Sequence, residues 1–69
     1  MASKERLAQN IREAYLKSGK STRQIQRESG LNFTTILRWI NGTYIPNAIT
    51  LKIFCDCVGV TIQEIYEGV

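Results

Sequence analysis

The 69-residue sequence predicts a single all-α domain of five helices. Three observations carry this. Apolar residues recur at spacings of three and four, the period of a helix that buries one stripe. Cap-forming residues (Ser3, Ser21, Asn32 and Thr61) stand just ahead of those stripes. The stripes stop at Ser18-Gly19, Gly30, Asn41-Gly42 and Gly59, where glycine ends a helix at little cost.

The first helix is expected over about 4–17, with Ser3 as its cap and Leu7, Ile11, Ala14 and Tyr15 as its apolar stripe. The second spans about 22–29. Ser21-Thr22-Arg23-Gln24 reads as a capping box, Ser21 capping and Gln24 reaching back. Ile25 is its main inward residue, and Leu31 fills the turn after Gly30. The third spans about 33–41, capped by Asn32, with Ile36, Trp39 and Ile40 facing the core. Pro46 cannot continue a helix from before it but tolerates a place just ahead of a new one. The fourth helix follows over about 47–58, with Ile49, Leu51, Phe54, Cys55 and Val58 assigned inward. The fifth is short, about 62–67, opened by the capping box Thr61-Ile62-Gln63-Glu64, with Ile62, Ile65 and Tyr66 as its apolar face. The breaks are all short turns, and there is no linker or repeat, so one domain covers 1–69.

Composition narrows the function. A hydrophobic fraction of 43% supports a globular core. No apolar run is long enough for a membrane span, and the charged start Met1-Ala2-Ser3-Lys4-Glu5-Arg6 leads into no apolar segment, so a cytoplasmic protein is expected. Histidine is absent, and Cys55 and Cys57 stand two apart without a second pair, so neither a metal nor any other cofactor is expected. The thiols read as reduced, small apolar residues. With no paired carboxylates or phosphate loop, an enzyme is not expected.

Charge is segregated. Residues 1–38 hold eight of the nine basic residues against three acids, a local balance of +5. Residues 39–69 hold only Lys52 against Asp56, Glu64 and Glu67, a balance of −2. One basic end suits a polyanion there, although a solvated first helix explains part of the excess.

The second and third helices are joined by Ser29-Gly30-Leu31-Asn32, a tight turn that sets two short helices at a large angle. Such a unit can lay its second helix in the major groove of DNA. The order of signals from Leu7 to Gly68 resembles the phage-repressor/Cro type of helix-turn-helix domain, the five-helix lambda-repressor-like fold. The residues that carry the likeness are Ser21, Ile25, Gly30, Ile36, Arg38, Asn41-Gly42, Pro46, Leu51, Ile53, Val58-Gly59-Val60 and Glu64-Ile65. The resemblance implies a third helix that reads bases, with Asn32, Phe33, Thr34, Leu37 and Arg38 facing the groove. Thr22, Asn41, Thr43 and Tyr44 would contact the phosphate backbone. Arg23 joins them, although it shares a helix face with Arg27 where plain solvation competes.

The sequence also departs from that family. Gln26 stands where a small residue is usual, and Tyr15 and Ile40 stand where many members carry an arginine–glutamate pair. Phe33 and Leu37, four apart, make the reading face apolar; of its residues only Arg38 is suited to bidentate base recognition. Three functions follow. The first is a Cro-like regulator binding a double-stranded operator as a homodimer. The second is an antirepressor or modulator that binds a cognate phage repressor through a patch of Phe33 and Leu37. The third, ranked last, is an antitoxin.

Overall fold

The computed structural model describes residues 3–69, and of Ser3 only the backbone. Five helices follow one another: α1 (Ser3–Ser18), α2 (Thr22–Ser29), α3 (Phe33–Ile40), α4 (Ala48–Val58) and α5 (Ile62–Ile65). Among the described residues there is no strand. Ser3 is already helical, and whether its side chain caps α1 lies outside the described residues.

Each helix gives one face to a shared core. Leu7, Ile11 and Ala14 come from α1, Ile25 from α2, Ile36 and Trp39 from α3, Leu51, Phe54 and Cys55 from α4, and Ile65 from α5. Fully burying one such aliphatic or aromatic side chain contributes about 1.5–3 kcal/mol, so the core rather than helix propensity holds these short segments. Trp39 meets Phe54 edge-on, ring centroids 5.9 Å apart. That contact joins α3 to α4 at the centre of the molecule. Tyr15 and Ile40 pack half-buried against the same core, so apolar contact occupies the places where the family often has an ion pair.

Polar ties fix the periphery. Asn10 Nδ2 donates to the carbonyls of Ile65 (2.9 Å) and Glu67 (2.8 Å), holding the chain end beyond α5 on α1. Lys20 Nζ donates to Glu28 Oε1 at 2.6 Å and to the Cys57 carbonyl at 2.8 Å. One cation thus joins α2 to the last turn of α4, where the helix dipole favours positive charge. The hydrogen bond from Lys20 holds the Glu28 carboxyl below its ordinary range, and Glu28 in turn raises the Lys20 ammonium. Both thiols are unpaired, and burial pushes each above the usual thiol value.

The expected helices are present, with corrections, the first being that α1 runs one residue further at each end, Ser3–Ser18. Asn41 is the C-cap of α3 and Asn47 the N-cap of α4, each one residue outside its helix. Helix α5 ends at Ile65, and Tyr66, expected on its apolar face, is an exposed C-cap. Gln24 does not reach back to Ser21; its amide is turned along the helix toward Glu28, to which Nε2 donates at 2.9 Å, a charge-assisted bond that holds the side chain away from the Ser21 N–H. Ile49 does not face inward: it is 75% exposed. Ile49 and Leu51 are two residues apart, about 200° around a helix, so they cannot both face one core, and Leu51 has that place.

Candidate nucleic-acid interface

The α2–turn–α3 unit is built from the backbone outward. Ser21 Oγ accepts the Gln24 N–H at 3.1 Å and opens α2. At the other end Gly30 takes φ 81°, and its N–H closes α2 on the Gln26 carbonyl at 2.8 Å. A side chain at this φ is strained, so glycine lets the chain reverse here cheaply. Ser29 Oγ then accepts the Leu31 N–H at 3.1 Å, while Leu31 packs against the core.

The start of α3 is held twice. Asn32 Oδ1 accepts the Thr34 N–H at 2.8 Å, the expected cap. Gln26 Oε1 accepts the Phe33 N–H, also at 2.8 Å, from across the turn. Two of the N–H groups that a helix start leaves unpaired are therefore satisfied by side chains. The second tie locks the angle between α2 and α3. Sequence reasoning found Gln26 only as a departure from a small residue. Its length and polarity were the available signal, and only the geometry shows what they are for.

The outward face of α3 carries the residues expected there. Thr34, Leu37 and Arg38 are exposed, Asn32 is exposed beside the turn, and Phe33 is half-buried. Ile36 and Trp39 lie in the core, as expected. The face is less apolar than the sequence suggests. The Arg23 guanidinium sits 4.8 Å from the centroid of the Phe33 ring. A cation–π contact thus covers part of the ring and brings a positive charge from α2 to the start of α3. Leu37, 40% exposed, is the large apolar side chain left open on that face.

A second cation–π pair stands at the far end of α3, where Arg38 lies 5.2 Å from the Tyr44 ring centroid. The loop is folded back to allow it: the Thr43 N–H donates to the Arg38 carbonyl at 2.9 Å and the Gly42 N–H to the Trp39 carbonyl at 3.1 Å. Asn41, Thr43 and Tyr44 are consequently exposed in one short stretch next to Arg38. Thr22 is the first residue of α2, half-buried, where the helix dipole favours an anion. The structure brings Arg23 to Phe33 and Arg38 to Tyr44, while Thr22 touches neither pair by hydrogen bond. No group of metal-ligating side chains occurs among the described residues. No described helix is long and apolar enough to cross a membrane.

Comparison with curated proteins and with solved structures gives no match. Residues 11–65, most of the chain, match the model of the helix-turn-helix family. That family is one of DNA-binding regulators rather than enzymes. The chain belongs to the helix-turn-helix family of the phage-repressor/Cro type, with its five-helix fold.

Proposed function

We propose that the chain is a Cro-like transcriptional regulator of a temperate phage or its bacterial host, acting in the host cytoplasm, with α3 in the major groove of a two-fold operator. The observation that carries this is the doubly tied start of α3, with Arg38 presented on its exposed face. A reading helix must be held rigidly for hydrogen bonds to discriminate bases, and Gln26 and Asn32 hold this one. Arg38 supplies the bidentate donor suited to guanine, Leu37 an apolar contact for a thymine methyl, and Thr34 and the free amide hydrogens of Asn32 further polar contacts. Thr22, Arg23, Asn41, Thr43 and Tyr44 are the proposed phosphate contacts around that face. Phe33 supports Arg23 more than it reads a base, given how the two stack.

A salt titration of binding to the chain's own promoter region tests this. Tight binding that weakens steeply is expected, with roughly one unit of logarithmic slope per phosphate contacted. Thr22→Ala and Asn41→Ala are expected to weaken binding to every sequence alike. Absence of any binding overturns the proposal.

The exposure of Leu37 beside Phe33 favours one second reading, an antirepressor that binds a cognate phage repressor through that patch. Under it, Leu37→Asp abolishes a complex with the neighbouring repressor, and the chain alone ignores DNA. The cover that Arg23 gives Phe33 reduces the patch, which is why DNA is the first reading.

A further inference from the structure

The chain contains no aspartate or glutamate from Ser29 to Cys55, a stretch that includes all of α3. In the major groove cytosine differs from thymine in two ways. Its N4 amine donates where thymine O4 accepts, and it has hydrogen at C5 where thymine has a methyl group. A carboxylate is the side chain that rewards the N4 amine, and this face has none. The amide oxygens beside α3 are already spent: Gln26 Oε1 accepts the Phe33 N–H and Asn32 Oδ1 the Thr34 N–H, each at 2.8 Å. The Thr34 hydroxyl donates or accepts alike and so prefers neither base. Arg38 has no acceptor, and its guanidinium lies against the Tyr44 ring toward the loop. Asn41 lies past the last turn, among the proposed phosphate contacts. What remains around Leu37 is a surface able to sense a methyl group and little else. Leu37 is the large apolar side chain left open there, with Phe33 one turn before it.

We propose that Leu37 recognises the C5-methyl group itself, so that α3 accepts 5-methylcytosine as it accepts thymine and disfavours unmethylated cytosine at the same place. The inference rests on the DNA-binding reading of α3 and deepens it. The ligand is a duplex pyrimidine methylated at C5, whichever group stands at C4. Thymine and 5-methylcytosine hold the same methyl group at the same point of the groove. They differ at C4 and in the purine opposite, and beside Leu37 this chain has no free carboxylate or amide to compare those groups. Burying one methyl group against a leucine changes affinity about fourfold, the equivalent of the ~0.8 kcal/mol of a buried CH2 unit. Methylation of one cytosine would then turn a poor site into a good one without a change of sequence. A protein-binding patch at Leu37 would be indifferent to that methyl group.

Titration of the full chain with duplexes of its own promoter region tests this, each thymine of the bound site being replaced singly by deoxyuridine, which lacks only the methyl group. One position in each half of the site is expected to lose about fourfold in affinity. At that position 5-methylcytosine is expected to bind about fourfold more tightly than cytosine, again a difference of one methyl group. Leu37→Ser, at an exposed position that leaves the fold intact by circular dichroism, is expected to bind the duplex through Arg38 and the phosphate contacts but to lose both differences. Equal affinity for thymine and deoxyuridine at every position overturns the inference and leaves the reading of α3 standing. So does a methyl preference that Leu37→Ser retains. A chain that binds no duplex overturns both.

Discussion

Arg38 shows how much one residue of the reading face depends on its neighbours. Its guanidinium stays exposed but is steadied by the Tyr44 ring, and its carbonyl holds the Thr43 N–H. An arginine restrained before binding loses less side-chain freedom on contacting a base. Tyr44→Ala should therefore weaken operator binding and blunt discrimination between bases, where an ordinary phosphate contact would only lower affinity; competition titrations against mutated duplexes separate the two. Gln26→Ala removes the tie across the turn and should lower unfolding stability by about 0.5–1.5 kcal/mol, read from urea melts. The family resemblance implied that Asn32, Thr34, Leu37 and Arg38 face outward together, and all four are exposed. The two stacked pairs were not legible, because Arg23 and Phe33 are ten residues apart and meet only once the turn has set the helices at their angle.

At the scale of the element, local chemistry decided what could be read. Helix α2 has the expected limits, Thr22–Ser29, because Ser21 and Gly30 are strong, local signals at each end. Limits blurred by a residue or two in α3, α4 and α5, where asparagine or tyrosine sits at the boundary and is compatible with either side of it. Ile49 departs for another reason: hydrophobicity does not by itself mean burial, and the angle between Ile49 and Leu51 leaves room in the core for one of them only. Gly30→Ala is expected to cost about 1–2 kcal/mol from the positive φ alone, since a Cβ there meets no atom within 4 Å. A thermal melt checks this; a variant as stable as the parent would show that the turn tolerates another conformation. Phe54→Ala, which empties the place where α3 meets α4, should cost about 3–5 kcal/mol and leave a domain this small mostly unfolded.

The whole molecule is a body with extents of 34 × 22 × 21 Å and a radius of gyration of 10.7 Å, close to the ~11 Å expected for its length. With so little interior, its rim is held by exposed polar ties, and these give stability a pH dependence of definite sign. Glu28 lies below the ordinary carboxyl value of 4.5 because Lys20 and Gln24 donate to it, and Glu64 because the backbone N–H and side chain of Thr61 do. A carboxyl held down in the folded state stabilises the fold above its unfolded value, and the contribution is lost as pH falls through the lowered one. Melting temperature should therefore drop between about pH 5 and about pH 3, and less so in Glu28→Gln, by an amount that added salt reduces. The fold was legible because caps, glycines and spacing agree along nearly the whole chain. The partner was less so, because the same face carries an arginine suited to bases and a leucine suited to either thymine or protein.

The central claim, that α3 reads base pairs through Arg38, is tested most directly by selecting bound sites from randomised duplexes with the parent chain and with Arg38→Ala. The account predicts a two-fold site for the parent. It predicts for the variant the loss of preference at one symmetry-related base pair in each half, at a cost of about 1–3 kcal/mol per contact. No enriched site, or the same site at undiminished preference in Arg38→Ala, would contradict it.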